Sequence, residues 1–128
     1  MVLSILKRAA VAALVLQTST QMVLAHKSDD HNGANGGQIV ATQHSHIELV
    51  RTDNEIAIYL YDLNLKPRNA DDITIEATLV EGTTQASLDL MFTPPNKFSA
   101  KADDFSSSAT IVLRLFRDGA FWDLTRLK

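Results

Sequence analysis

Apolar residues recur at every second position through most of the chain after residue 37, and this pattern constrains the fold more than any other feature. In the stretch ITIEATLV, for example, Ile73, Ile75 and Leu79 alternate with polar residues. A period of two is typical of a β-strand with one face buried and the other in water. It predicts seven or eight strands, at residues 37–42, 45–51, 55–62, 73–81, 84–92, 96–102, 109–117 and 120–127.

Turn-forming residues separate these predicted strands at intervals of roughly ten residues, and no stretch between them has a convincing helical period. This layout predicts an all-β domain of antiparallel strands over residues 37–128, either an Ig-like β-sandwich or a small barrel. Asp118-Gly119 is a strong signal for a two-residue hairpin. In the strand after it, Phe121 and Trp122 are adjacent, and we expect Trp122 to point inward together with Leu124.

The first 25 residues have the layout of a secretory signal peptide. Lys7 and Arg8 precede an apolar run that is too short to span a membrane, and Val23-Leu24-Ala25 supplies a cleavage site. An uncleaved anchor and an amphipathic helix are the alternatives. Cleavage after Ala25 predicts a periplasmic protein without a membrane span, in which a polar, flexible, histidine-containing arm at residues 26–36 precedes the β-domain.

Charge and cysteine content exclude several classes of function. The 128-residue chain has a net charge of −3, and removal of two bases and no acid with residues 1–25 would make it −5. Nucleic-acid binding, which needs a basic surface, is therefore not expected. Without cysteine the chain offers no thiolate ligand or thiol nucleophile. Because motifs of hydrolases and phosphate-binding enzymes are also missing, we do not expect an enzyme.

The stretch TQHSHIELV is the strongest candidate for a functional site. On a strand, His44, His46 and Glu48 would share the face opposite Ile47 and Leu49, and would therefore point outward together. Same-face neighbours lie about 6.5–7 Å apart at the backbone, close enough for two imidazoles to converge on one ion. Imidazole and carboxylate favour copper or zinc over calcium or magnesium. The alternative is a pair of solvated histidines without a ligand.

Two further histidines lie in the predicted arm. A glycine-rich arm can fold back, so that His31 adds a third ligand to the same ion. If cleavage follows Ala25, the terminal amine and ring of His26 form a possible chelate for Cu(II). Tyr59 and Tyr61 suggest a different role, because they share a face of one predicted strand. A non-metal interaction module would dock through this tyrosine face or through a sheet edge.

The run NGGQIVATQHSHIELVRTDNEIAIYLYDLNLKP resembles the start of a group of small bacterial periplasmic β-domain proteins, and the likeness extends over residues 35–117. Related stretches occur beside or within periplasmic components of heavy-metal efflux systems. The matching positions are Gly36, Gly37, His46, Glu48, Leu49 and Val50. The pattern has a histidine where this chain has Asn35. The resemblance implies a periplasmic β-domain and favours metal binding. Together with the histidines, it leads us to expect a periplasmic metal-binding accessory protein that buffers copper or zinc or passes it to an efflux component.

Overall fold

The structure is a computed structural model that describes residues 32–102, 106 and 108–128; the predicted signal peptide, His26 and His31 lie outside this range. The described residues form nine strands. In chain order they are β1 (Gln38–Ala41), β2 (His46–Arg51), β3 (Glu55–Tyr61), β4 (Ile73–Glu81), β5 (Thr84–Leu88), β6 (Met91–Thr93), β7 (Lys97–Lys101), β8 (Thr110–Arg117) and β9 (Ala120–Leu127). No helix among the described residues is long and apolar enough to cross a membrane.

The nine strands form two antiparallel sheets, with the orders β1-β2-β3-β7-β6 and β5-β4-β8-β9. The prediction of an all-β antiparallel fold is confirmed, and the architecture is a two-sheet sandwich. The strand predicted over residues 84–92 is divided in two, which accounts for the ninth strand. β5 pairs with β4 in one sheet and β6 pairs with β7 in the other, so the chain changes sheets at Asp89 and Leu90.

The core lies between the two sheets and is built from the alternating apolar residues. Ile47, Ile58 and Leu60 contribute to it from the five-stranded sheet and are fully buried. Leu79 and Leu113 meet them from the four-stranded sheet. The predicted inward faces of these strands are therefore confirmed, because a strand that buries Ile or Leu on one side must present the intervening residues on the other.

The β8–β9 hairpin contains an irregularity that changes which residues face inward. Asp118 and Gly119 form its two-residue turn, both with positive φ, as predicted for Asp-Gly. Phe116 pairs with Phe121 but Leu115 pairs with Asp123, so Trp122 is an extra residue in a β-bulge. Beyond the bulge the alternation is reversed: Asp123 is buried and Leu124 is 52% exposed. The prediction that Leu124 points inward is therefore wrong, although Trp122 does pack against the core.

Candidate functional site

Glu48 is fully buried in the middle of β2, on the side of the sheet away from the core. The segment 33–37 covers it and donates to both carboxylate oxygens. The Asn35 amide N–H lies 3.0 Å from Oε2, the Asn35 side-chain amide 3.1 Å from Oε1, and the Gly37 N–H 3.3 Å from Oε2. The Tyr61 hydroxyl donates to Oε1 at 2.9 Å. Such a set of donors is what a buried carboxylate requires.

Glycine makes this close cover possible. A Cβ added to Gly33 would lie 2.1 Å from the Glu48 carboxyl carbon, so a larger residue would displace the carboxylate from its present position. The segment closes on itself through hydrogen bonds from Gly33 N–H to Gly37 O and from Gly36 N–H to Gly33 O. The chain predicted as a flexible arm over residues 26–36 is thus held in place from Gly33 onward.

Glu48 lies on the face of β2 opposite Ile47 and Leu49, as predicted, but this face is not open to solvent at Glu48. The alternation along β2 is as expected, since Ile47 and Leu49 face the core. The segment 33–37 covers the outer face of the sheet at this point. Both carboxylate oxygens of Glu48 are already hydrogen-bonded, so Glu48 is not available as an exposed metal ligand. Asn35, which departs from the resembled pattern, is itself one of the donors.

Tyr61 belongs to the same buried network and not to an exposed tyrosine face. Its ring is buried, and burial together with the hydrogen bond to Glu48 raises the pKa of its hydroxyl to about 12. Tyr59 is half-buried on the strand beside Lys97, whose ammonium lies 5.8 Å from the ring centre. The predicted contact surface of two exposed tyrosines is therefore not formed.

His46 begins β2 and is held by the chain that follows β3. Its Nδ1 lies 3.0 Å from the carbonyl oxygen of Asp62. A carbonyl oxygen can only accept, so Nδ1 carries the hydrogen and Nε2 keeps a lone pair in the neutral ring. The Asp62 carbonyl oxygen therefore selects the tautomer of His46 that is protonated at Nδ1.

His44 lies in the turn between β1 and β2 and is held by a residue of the opposite sheet. Its Nδ1 is 3.3 Å from Asp123 Oδ2, and its backbone N–H donates to the same oxygen at 3.2 Å. The Thr42 hydroxyl donates to it at 2.9 Å. Asp123 is buried while the His44 side chain is 41% exposed. As with His46, the acceptor beside Nδ1 leaves the Nε2 lone pair available.

Trp122 connects His44 to a group of charged residues on the β3–β4 connection. The His44 ring is stacked on the indole at 5.2 Å between centroids, and the Arg68 guanidinium lies 4.8 Å from the indole centroid. Arg68 is bonded to Asp72, which also accepts from Arg117. The hydrogen bond from Arg68 is the main cause of the lowered pKa of Asp72.

Among the predicted metal ligands that the structure describes, His44, His46 and Glu48 do not form a three-residue metal cluster. Within residues 32–102, 106 and 108–128, no group of three or more His, Asp or Glu side chains is arranged to hold a metal ion. His26 and His31 lie outside that range. His44 and His46 flank the buried Ser45, and the Nδ1 of each ring lies beside an oxygen of another segment, Asp123 Oδ2 or Asp62 O.

Sequence reasoning missed two residues that position this pair. Asp123 lies 79 positions after His44, so its contact depends on how the sheets pack. The one available signal was the adjacent Phe121-Trp122, which breaks the alternation and marks the bulge that turns Asp123 inward. The Asp62 carbonyl belongs to the backbone and leaves no signature in a side-chain pattern.

No protein-family model matches this chain, and no curated protein or solved structure is significantly similar to it. A β-sandwich supports many unrelated functions. The function is therefore inferred from the chemistry of His44, His46 and the residues that hold them.

Proposed function

We propose that this protein is a non-enzymatic, periplasmic metal-binding accessory protein, in which His44 and His46 bind a copper or zinc ion through Nε2. The observation that carries the proposal is that each ring has an oxygen beside its Nδ1, Asp123 Oδ2 at 3.3 Å for His44 and Asp62 O at 3.0 Å for His46. Metal-bound histidines almost always have such a partner, because it selects the tautomer and fixes the direction of the ring.

Two protein ligands leave the remaining coordination positions of the ion open. Structural zinc sites have four protein ligands, whereas sites that exchange a ligand keep at least one position free. An ion held by two imidazoles is therefore suited to buffering and transfer. His31 or His26 is the proposed source of a further ligand, and Glu48 is excluded from the set because its oxygens accept hydrogen bonds from the protein.

Export and the partner are supported by the sequence alone. The basic, apolar and small-residue order of residues 1–25 is that of a signal peptide. The resemblance of residues 35–117 to periplasmic proteins associated with heavy-metal efflux makes an efflux or resistance component the proposed recipient of the ion.

Trp122 provides a direct test, because it is the only tryptophan and its ring is stacked on that of His44. We expect Cu(II) to quench the tryptophan fluorescence of the exported protein with a dissociation constant in the micromolar range or below. Calorimetry would report Zn(II) binding independently. His44→Ala and His46→Ala should each weaken binding by about tenfold or more, since each removes one of two ligands.

His31→Ala and Tyr59→Phe complete the experiment. Tyr59→Phe is a matched control that leaves both imidazoles unchanged, and affinity should stay within about twofold. A loss of affinity in His31→Ala would assign it as the third ligand. If the unmutated protein shows no saturable binding at neutral pH, or if the double variant His44→Ala/His46→Ala binds equally well, the proposed function is wrong.

A further inference from the structure

The outer face of the β8–β9 hairpin combines exposed apolar side chains with arginines. Beyond its turn, the cross-strand pairs on this face are Phe116 with Phe121, Arg114 with Leu124, and Val112 with Arg126. Phe121 is 58% and Leu124 52% exposed, and both lie on β9. Exposed aromatic and aliphatic side chains grouped in this way mark contact surfaces more often than single scattered ones.

The side chains of this face support one another. The rings of Phe116 and Phe121 meet edge to face with their centroids 6.1 Å apart, and the Arg114 guanidinium lies 5.6 Å from the Phe116 centroid. Arg114 is also 3.6 Å from Glu76 on β4, where the apolar part of the face ends. The surface is therefore held in a defined shape before any partner arrives.

Charge indicates what kind of partner fits this face. The whole chain has a net charge of −3. The three cross-strand pairs on this face contain two arginines and no acid; Arg114 is paired with Glu76 of β4, while Arg126 lies on β9. Opposite charges across neighbouring strands stabilise pairing, and like charges oppose it. Arg126, which lies on β9 itself, therefore favours an acidic side chain in the partner.

The position of β9 indicates how such a partner would bind. β9 is the last strand of its sheet, and β8 is its only strand neighbour in the described part of the chain. An edge strand presents backbone N–H and C=O groups to any extended segment that comes alongside. We propose that β9 binds an extended acidic segment of another protein by strand addition, with an acidic side chain beside Arg126 and apolar side chains beside Leu124 and Phe121.

The proposal is tested with fluorescently labelled short peptides in which glutamate alternates with valine, added to the exported protein and followed by polarisation. A peptide with lysine in place of glutamate is the matched ligand control. We expect saturable binding of the glutamate peptide, at least about tenfold weaker binding of the lysine peptide, and an affinity that falls as salt is added.

Exposed residues elsewhere supply matched variants that should fold normally. Leu124→Ser and Arg126→Glu should each weaken binding by about tenfold. Two control variants make comparable chemical changes on the other sheet: Met91→Ser, at a 71% exposed position, and Lys101→Glu on β7. Each should leave the peptide affinity within about twofold.

Four results would overturn the proposal. Equal binding of the glutamate and lysine peptides would show that charge does not select the partner. An equal loss of peptide affinity in Met91→Ser and Leu124→Ser would show that the peptide does not bind this face. Concentration-dependent dimerisation that Leu124→Ser abolishes would assign the surface to a second copy of the chain. Binding to vesicles of anionic lipid without binding to the glutamate peptide would assign it to a membrane and would equally reject the proposed partner.

Discussion

Glu48 and Asp123 are both buried carboxylates on β-strands, and a polar turn donates backbone N–H groups to each of them. Around Glu48 the donors are two backbone amides, an asparagine amide and a tyrosine hydroxyl, all of them neutral. Around Asp123 the donors are the Thr42 hydroxyl and the His44 backbone N–H, and the His44 imidazole, which is 41% exposed, lies 3.3 Å from the same oxygen. Only the second arrangement connects a buried charge to a surface group that can bind an ion.

The comparison shows that one physical requirement has two uses in this molecule. A buried carboxylate must be hydrogen-bonded wherever it lies. At Glu48 the requirement holds the segment 33–37 onto the sheet. At Asp123 it holds the turn 42–45 against β9 and orients the His44 ring. The first carboxylate should therefore matter mainly for stability, and the second for stability and metal affinity together.

The largest effect on stability is expected from Glu48→Ala. The substitution leaves the amides of Asn35 and Gly37 and the hydroxyl of Tyr61 without an acceptor, and we expect the free energy of unfolding to fall by about 3–5 kcal/mol. Urea unfolding followed by circular dichroism measures the change. Copper affinity of the folded fraction should be unaltered, and a selective loss of metal binding with little loss of stability would contradict this view of Glu48.

Asp123→Ala should have the next largest effect, a loss of about 2–3 kcal/mol, because Thr42 and His44 lose their shared acceptor. The conservative variant Asp123→Asn separates the two roles of this residue. It keeps an oxygen acceptor but no longer fixes the His44 tautomer, and we expect copper affinity to fall by about 10–100-fold. An Asp123→Asn protein that binds copper as tightly as the unmutated protein would show that the orientation of His44 is irrelevant to binding.

Alkaline pH should weaken the Glu48 network through Tyr61. Its pKa is raised from 10.0 to about 12 by burial and by the hydrogen bond to Glu48, so the folded protein holds this proton more tightly than the unfolded chain does. The stabilisation is therefore complete below about pH 10 and is lost as the pH rises towards 12. The total loss is at most about 2.7 kcal/mol.

Denaturation series between pH 9 and pH 12 would measure this loss. Tyr61→Phe should lack it, because the variant has no phenolic proton at this position. Tyr59→Phe is the matched control and should retain it. If the free energy of unfolding falls equally with pH in all three proteins, groups other than Tyr61 cause the alkaline loss.

The smallest change in stability is expected from His44→Ala, about 0.5–1 kcal/mol, because the ring is partly exposed and its contacts with Trp122 and Asp123 are at the surface. The same variant should lose copper binding by tenfold or more. His44→Ala should therefore change stability little and copper affinity strongly, whereas Glu48→Ala should change stability strongly and copper affinity little. Thermal unfolding and the tryptophan titration, made on one preparation, would test the contrast.

Several features of the fold could be predicted because they depend on neighbouring residues. The alternation of Ile73, Ile75 and Leu79 identifies a strand and its buried face without any knowledge of the partner strand. Asp118-Gly119 identifies a turn because these residues tolerate positive φ. The division of residues 84–92 between two sheets could not be predicted, because either sheet could accept the same alternating pattern.

The sequence by itself determined that His46 and Glu48 lie on one face of β2, since Ile47 and Leu49 must reach the core. Only the tertiary structure decided that the segment 33–37 covers this face at Glu48 and that His44, in the turn before β2, lies against the opposite sheet with 41% of its side chain exposed. The reason is that strand periodicity assigns a side chain to a face, whereas cover depends on what folds over that face from elsewhere. Gly33 permits the first cover, and the bulge at Trp122 supplies Asp123 to orient His44.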